Sequence, residues 1–239
     1  MGLSLTILGC SGSYPGPGQA CSSYLVEGGG VRVWVDAGSG SLANLQLHSH
    51  LSAVDAVIIS HEHPDHWQDI EGFAVAGHYL LRLPPVPIYA PAGLRKRMGG
   101  PSDAFIWNPI RDGDRVMIGG LTVGFSRTDH GPETLAMRFD GDDRALGYSA
   151  DSGPGWSLEA LGEGLDLALC EATYLADREG TLQHLSARQA GVSARAAGAG
   201  RLVITHLQPG VDPDRAQAEA EAAFGSTVEV ATEGLRIEL

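Results

Sequence analysis

The sequence predicts a layered α/β (α+β) fold in which two sheets pack together with helices outside. Runs of strand-like segments followed by helical ones occur in each half of the chain. Continuous apolar stretches such as residues 54–59 and 165–170 have the pattern of strands buried on both faces. Gly (33) and Pro (13) are frequent enough to supply the many tight turns that such an arrangement needs. No linker-like or low-complexity segment divides the 239 residues, so one domain is expected over 1–239.

Each element follows from local pattern. Residues 3–8 form an apolar strand, and 9–18 (GCSGSYPGPG) a loop. Segments 24–26 and 31–35 flank the Gly28–Gly30 turn as a hairpin. Leu42, Leu45 and Leu47 stand at helical spacing within 41–49. The strand at 54–59 delivers the chain directly into SHEHPDHW. Ile70, Phe73, Ala74 and Gly77 predict a helix over 67–81, which Pro84, Pro85 and Pro87 stop. A short strand at 87–89 and a short helix at 92–98 follow. Strands are expected at 115–118, 121–126, 135–139 and 145–148, with DGDDR (140–144) as turn chemistry between the last two. After the strand at 165–170 come an Ala-rich helix capped by Ser186, a strand at 202–205, a charged helix at 212–224 and a closing strand at 227–230.

Composition excludes several classes. Hydrophobic residues at 43% and charged residues at 19% exclude disorder. No apolar run approaches the roughly 18 residues of a membrane span, and the first residues lack the basic and apolar regions of a signal peptide. Cys10, Cys21 and Cys170 are odd in number and follow no C-x-x-C spacing, so a reducing cytoplasm without a disulfide framework is expected. The net charge of −13, from 16 basic and 29 acidic residues, argues against a general nucleic-acid coat. An anionic substrate stays open, because bound cations invert the local field.

The chemistry concentrates in His61-Glu62-His63-Pro64-Asp65-His66, just after a buried strand. His61 and His63 project to one side of such a loop and can share one ion, while Asp65 and His66 can turn towards a second. Two ions need further ligands. His130, Asp151 and His206 each lie just after an expected strand, where a layered sheet exposes side chains to a shared cleft.

Taken together, these residues resemble the five metal motifs of the metallo-β-lactamase superfamily in order, over nearly the whole chain. The resemblance implies the four-layer αββα sandwich with the site at one edge. It implies that His61, His63 and His130 hold one metal, that Asp65, His66 and His206 hold the other, and that Asp151 bridges them. A water or hydroxide between the ions would then be the nucleophile, oriented by Asp65. Zinc is the first expectation for the two divalent ions, with manganese or iron suited to similar ligands.

Cys170-Glu171-Ala172-Thr173 and His184-Leu185-Ser186 look like paired motifs of the ribonuclease Z-like phosphodiesterases. The resemblance makes His184 the residue that protonates or stabilises the leaving oxygen, and Glu171 the residue that orients it. The opening LTILGCSGS, Ser22-Ser23-Tyr24-Leu25, the D-x-G at Asp36–Gly38, SADSG and CEATY are closest to the atypical class II cyclic-nucleotide phosphodiesterases. That branch implies a small phosphodiester substrate, cyclic AMP or cyclic GMP, and a homodimer, with neither nucleic acid nor membrane as partner. The rivals are a ribonuclease Z-type tRNA 3′-end nuclease, a thioester or lactone hydrolase, and a metal-loaded binding protein without turnover. Only twenty residues separate His130 from Asp151, which leaves no room for the tRNA-gripping arm that ribonuclease Z enzymes insert there.

The remaining candidates read more plainly. His48 and His50 are expected in solvent, His78 on the helix after the metal loop, and Arg95-Lys96-Arg97 on a solvated helix face. Cys10 is expected as a buried structural thiol, and Ser11 and Ser13 as possible phosphate donors from their Gly-rich loop.

Overall fold

The computed structural model describes residues 2–239. Alternation along its strands sorts the apolar side chains into three cores. Val33, Val35, Ala56 and Ile58 face one core, while their neighbours Trp34, Ala37, Val57 and Ile59 face a second. Leu167, Leu169 and Val203 join the first core from the opposite side, and Ala168, Cys170, Leu202 and Ile204 face a third. Burial on both faces is why these strands read as unbroken apolar runs.

The first sheet contains β1 (Ser4–Gly9), β2 (Ser23–Gly28), β3 (Val31–Ala37), β4 (Ala56–Ile58), β5 (Val86–Ala90) and β6 (Phe105–Pro109) in chain order, with β14 (Arg236–Glu238) beside β1. The second contains β7 (Arg115–Ile118), β8 (Leu121–Arg127), β9 (Leu135–Gly141), β10 (Arg144–Tyr148), β11 (Leu167–Glu171), β12 (Leu202–Thr205) and β13 (Val228–Val230). Both sheets are mixed. Antiparallel pairing runs from β14 to β3 and from β7 to β10, and parallel pairing continues to β6 and to β13.

Helices cover the two outer faces. α1 (Ser41–His48) and α2 (Ile70–Val75) pack Leu45, Ile70, Phe73 and Ala74 on the first sheet. α3 (Ala187–Ala196) and α4 (Pro213–Phe224) pack a row of alanines and Phe224 on the second. The order helix, sheet, sheet, helix is the expected αββα sandwich. Ser186 caps α3 in a reciprocal capping box with Gln189, and Asp212 caps α4. A Cβ on Gly191 would lie 2.4 Å from the carbonyl oxygen of Ala220, so glycine is what lets α3 and α4 approach.

Some elements differ from expectation. The helix expected over 67–81 is α2 followed by a π-helical turn at Ala76–Leu81, where Tyr79, Leu80 and Leu81 are exposed and the burial period lapses. The helix expected at 92–98 shrinks to one 3₁₀ turn at Leu94–Lys96, between Pro91 and the Gly99–Gly100 pair. β6 and β14 were not anticipated: each is an edge strand, one ending at Pro109 and the other three residues long. Between His130 and Asp151 the chain forms a plain hairpin, with Asp142 and Asp143 as its two turn residues at positive φ. Among the described residues, no helix is long and apolar enough to cross a membrane.

Candidate metal centre and active site

Strand ends from both sheets converge on one edge. β4 leads into His61, His63, Asp65 and His66, β8 into His130, β10 into Asp151, and β12 into His206. Three non-glycine residues here hold the left-handed region: Asp36 (φ 51°), Ala150 (φ 49°) and His206 (φ 61°). Side chains with φ above zero are costly, and this strain is concentrated where the chain turns its polar groups inward.

The seven candidate ligands form two groups sharing one carboxylate. Asp151 Oδ2 lies 3.5 Å from His61 Nε2 and 3.9 Å from His130 Nε2, with His63 Nδ1 3.1 and 3.2 Å from those same nitrogens. Asp151 Oδ1 lies 3.2 Å from His66 Nε2 and 3.4 Å from His206 Nε2. Asp65 Oδ2 is 3.6 and 3.4 Å from those two nitrogens.

What the outer nitrogens hold decides what the inner ones offer. His130 Nδ1–H donates to the carbonyl of Gln183 at 2.8 Å, and His66 Nδ1–H to Asp36 Oδ2 at 2.8 Å. Ser60 donates its hydroxyl to Asp36 at 2.8 Å and so accepts from His61 Nδ1–H at 3.0 Å. Thr173 donates to Glu171 Oε2 at 2.6 Å and accepts from His206 Nδ1–H at 2.9 Å. With these four rings neutral, their Nε2 lone pairs point at two carboxylates with no proton to offer them. Among the described residues, buried Asp151 Oδ1 has no hydrogen-bond partner. A converging set of imidazole and carboxylate acceptors, with an orphaned oxygen at its centre, fits divalent cations of the zinc type.

The electrostatics agree. Burial opposes charge on Asp151, but the imidazoles of His206, His66 and His61 outweigh it and hold the carboxyl well below its ordinary range. Burial likewise opposes charge on Asp65, and His66 and His206 overcome it. Burial holds His61 neutral, well below the usual imidazole value. Around His66 the carboxylates of Asp151, Asp65 and Asp36 prevail over burial and raise its proton affinity. A field that attracts a proton to this point attracts a cation equally.

Glu171 and His184 stand beside the cluster. His184 Nδ1 donates to Glu171 Oε1 at 3.0 Å, which also accepts from the Ser152 amide at 2.7 Å. Burial disfavours an imidazolium there, but the charge and hydrogen bond of Glu171 win and raise His184 to about 9. Its ring lies 4.9 Å from that of His130 and stacks on that of His206 at 5.4 Å.

Asp36 does more than its D-x-G motif suggests. Fully buried, it accepts from the Ser60 amide and hydroxyl, His66 and Tyr148 Oη at 2.7–2.8 Å. The only signal was its D-x-G setting: a Cβ on Gly38 would lie 2.1 Å from the Asp65 carbonyl oxygen. Gly12 of GCSGS plays the same part, since a Cβ there would reach 2.3 Å from His206 O. Ser11 bonds Tyr14 O within its own loop, and Ser13 is exposed. Burial, with Glu233 nearby, pushes the Cys10 thiol up to about 12, and it donates to Ala231 O.

The other histidines lie elsewhere. His48 and His50 are exposed, and His78 faces Asp103 at 3.4 Å. Arg95, Lys96 and Arg97 are exposed, as expected; Arg97 pairs at 3.0 Å with Glu62 of the loop after β4, and Arg95 lies over Trp107.

Comparison with known proteins gives these features a setting. Residues 31–207 match the family model described as "Beta-lactamase superfamily domain". An uncharacterised protein of Mycobacterium tuberculosis is 32% identical, over 94% of this chain and 88% of its own. "Probable metallo-hydrolase YhfI" of Bacillus subtilis is 30% identical over 97% and 98% of the two chains. The crystal structure of YhfI, titled as a metallo-beta-lactamase fold protein, superposes with a TM-score of 0.93 over the whole of both. A ribonuclease Z of Mycobacterium bovis is 26% identical over 99% and 98%. Fold, motif order and these matches agree, and the chain belongs to the beta-lactamase superfamily.

Proposed function

We propose that the protein is a binuclear metal-dependent hydrolase of small phosphodiesters, with cyclic nucleotides such as cyclic AMP or cyclic GMP as the favoured substrates. The hydrolase part is supported by the ligand cluster and by the likeness to YhfI. The phosphodiester part rests on one observation: a histidine–carboxylate pair beside the cluster, half-buried His184 and buried Glu171, 3.0 Å apart.

His61, His63 and His130 would hold one cation, Asp65, His66 and His206 the other, and Asp151 both. When bound, the ions would supply Lewis-acid polarisation of a phosphoryl oxygen and a water acidified towards neutrality. The chain's own residues do the rest. Asp65 Oδ2 faces the cluster and is placed to accept a hydrogen bond that orients an attacking water. His184 keeps its Nδ1–H on Glu171 and presents Nε2 for delivering a proton to the departing alkoxide. Of the thioester or lactone rival, the thioester half is disfavoured, because a thiolate leaves without needing such an acid.

The ribonuclease Z relative makes tRNA 3′-end cleavage the second reading. Against it stand the short β9–β10 hairpin and its Asp140, Asp142 and Asp143, which repel a phosphate backbone. The deciding experiment assays cyclic mononucleotides, cyclic dinucleotides, precursor tRNA and a thioester side by side at fixed metal concentration. Turnover of cyclic nucleotides with tRNA untouched is expected. Precursor tRNA cut at its 3′ end with nanomolar affinity, and cyclic nucleotides left intact, transfers the assignment to the second reading.

A further inference from the structure

We infer that Thr173 is a positioning residue that ties one metal ligand, His206, to the leaving-group histidine, His184, through the shared carboxylate of Glu171. The His184 half of this rests on the phosphodiesterase reading; the His206 half does not.

Thr173 follows β11 and is fully buried. Its hydroxyl has one proton and two neighbours, Glu171 Oε2 at 2.6 Å and His206 Nδ1 at 2.9 Å. A carboxylate accepts, so the proton goes to Glu171 and the lone pair receives His206 Nδ1–H. That fixes the His206 tautomer with Nε2 bare towards Asp65 and Asp151. Glu171 is pinned in turn on both oxygens. Oε1 accepts from Ser152 N–H and His184 Nδ1–H, and Oε2 from the Thr173 hydroxyl and, at 3.3 Å, the Thr173 amide. Turning the carboxylate breaks all of these contacts, so the two histidines are oriented together.

The first sheet contains the same device. Ser60 stands between His61 Nδ1 and Asp36 Oδ2, and Asp36 also holds His66 directly. In each sheet, then, a buried carboxylate aims one histidine through a hydroxyl and a second one itself. In the first both rings enter the ligand cluster. In the second, one does and the other is the proton donor.

Removing the hydroxyl should therefore disturb binding and chemistry at once. Thr173→Val keeps the shape and deletes the link; Thr173→Ser keeps the link. The first readout is zinc affinity, by competition with a chromophoric chelator. The second is kcat and KM for an alkyl and a p-nitrophenyl phosphodiester. For Thr173→Val we expect the weaker of two zinc ions to loosen about 10- to 100-fold. We expect kcat to fall further for the alkyl than for the aryl ester, with KM within about twofold, and Thr173→Ser to restore both. Unchanged zinc affinity in Thr173→Val, or an unchanged alkyl-to-aryl ratio, overturns the inference. If Thr173→Val does not fold, Thr173→Ser decides alone, because weakened zinc binding with the hydroxyl retained refutes the link. If the wild type turns over neither ester, the phosphodiesterase reading fails, and zinc competition still tests the His206 half.

Discussion

Asp151 turns one oxygen to His61 and His130 and the other to His66 and His206, so a single carboxylate serves both halves of the cluster. Asp151→Ala should therefore lower occupancy at both metal positions, read by elemental analysis of the purified protein; full occupancy would rule out a bridging role. His184→Ala should keep its metals and lose about 10²–10⁴ in kcat, with a smaller loss for an aryloxide leaving group that needs no proton. The pH profile has a definite sign. His184 holds its proton below about 9 and loses it above, and cations in the cluster pull that value down. The alkaline limb of kcat for an alkyl ester should therefore lie at or below pH 9 and be absent in His184→Ala. The histidines and Asp65 of HEHPDH were legible in the sequence because they are local. Asp36 was not, because its partners Ser60, His66 and Tyr148 lie 24, 30 and 112 residues away and only the fold assembles them.

At the scale of elements, β3, β4, β11 and β12 could be read because their neighbours bury both faces, so apolarity alone marked them. β6 and β14 escaped for the complementary reason. Each borders its sheet on one side only, and side chains such as Ile106, Arg236 and Glu238 are exposed. The capping box at Ser186 was half visible, the serine in the sequence and the reciprocal bond from its amide to Gln189 Oε1 in the fold. Neither periodicity nor capping revealed how closely α3 and α4 approach. A Cβ at Gly191 would meet Ala220 O at 2.4 Å, Ala223 Cβ at 2.9 Å and Phe224 N at 3.0 Å, two of them backbone atoms that cannot swing aside. Gly191→Ala should therefore destabilise the protein by about 1–3 kcal/mol despite its better helix propensity. Urea unfolding checks this, and a stabilised variant would mean the helices part at no cost.

At the scale of the whole molecule, the proposed small substrate agrees with the charge. A net charge of −13 and an acidic β9–β10 turn leave little to neutralise a phosphate backbone. Precursor tRNA should therefore bind poorly at physiological salt in a filter or fluorescence assay, with a shallow salt slope. Where the cluster sits has a mechanical consequence too. The loop after β4 belongs to one sheet, and His130, Asp151 and His206 to the other, so an ion held among them rivets the two sheets at their common edge. Such a rivet binds only the folded chain, and at a free metal concentration 100 times its dissociation constant it adds about 2.7 kcal/mol. A chelator should therefore act as a mild denaturant: the melting temperature should climb with free zinc in a thermal-shift titration, and amide exchange should quicken first along this seam when zinc is withdrawn.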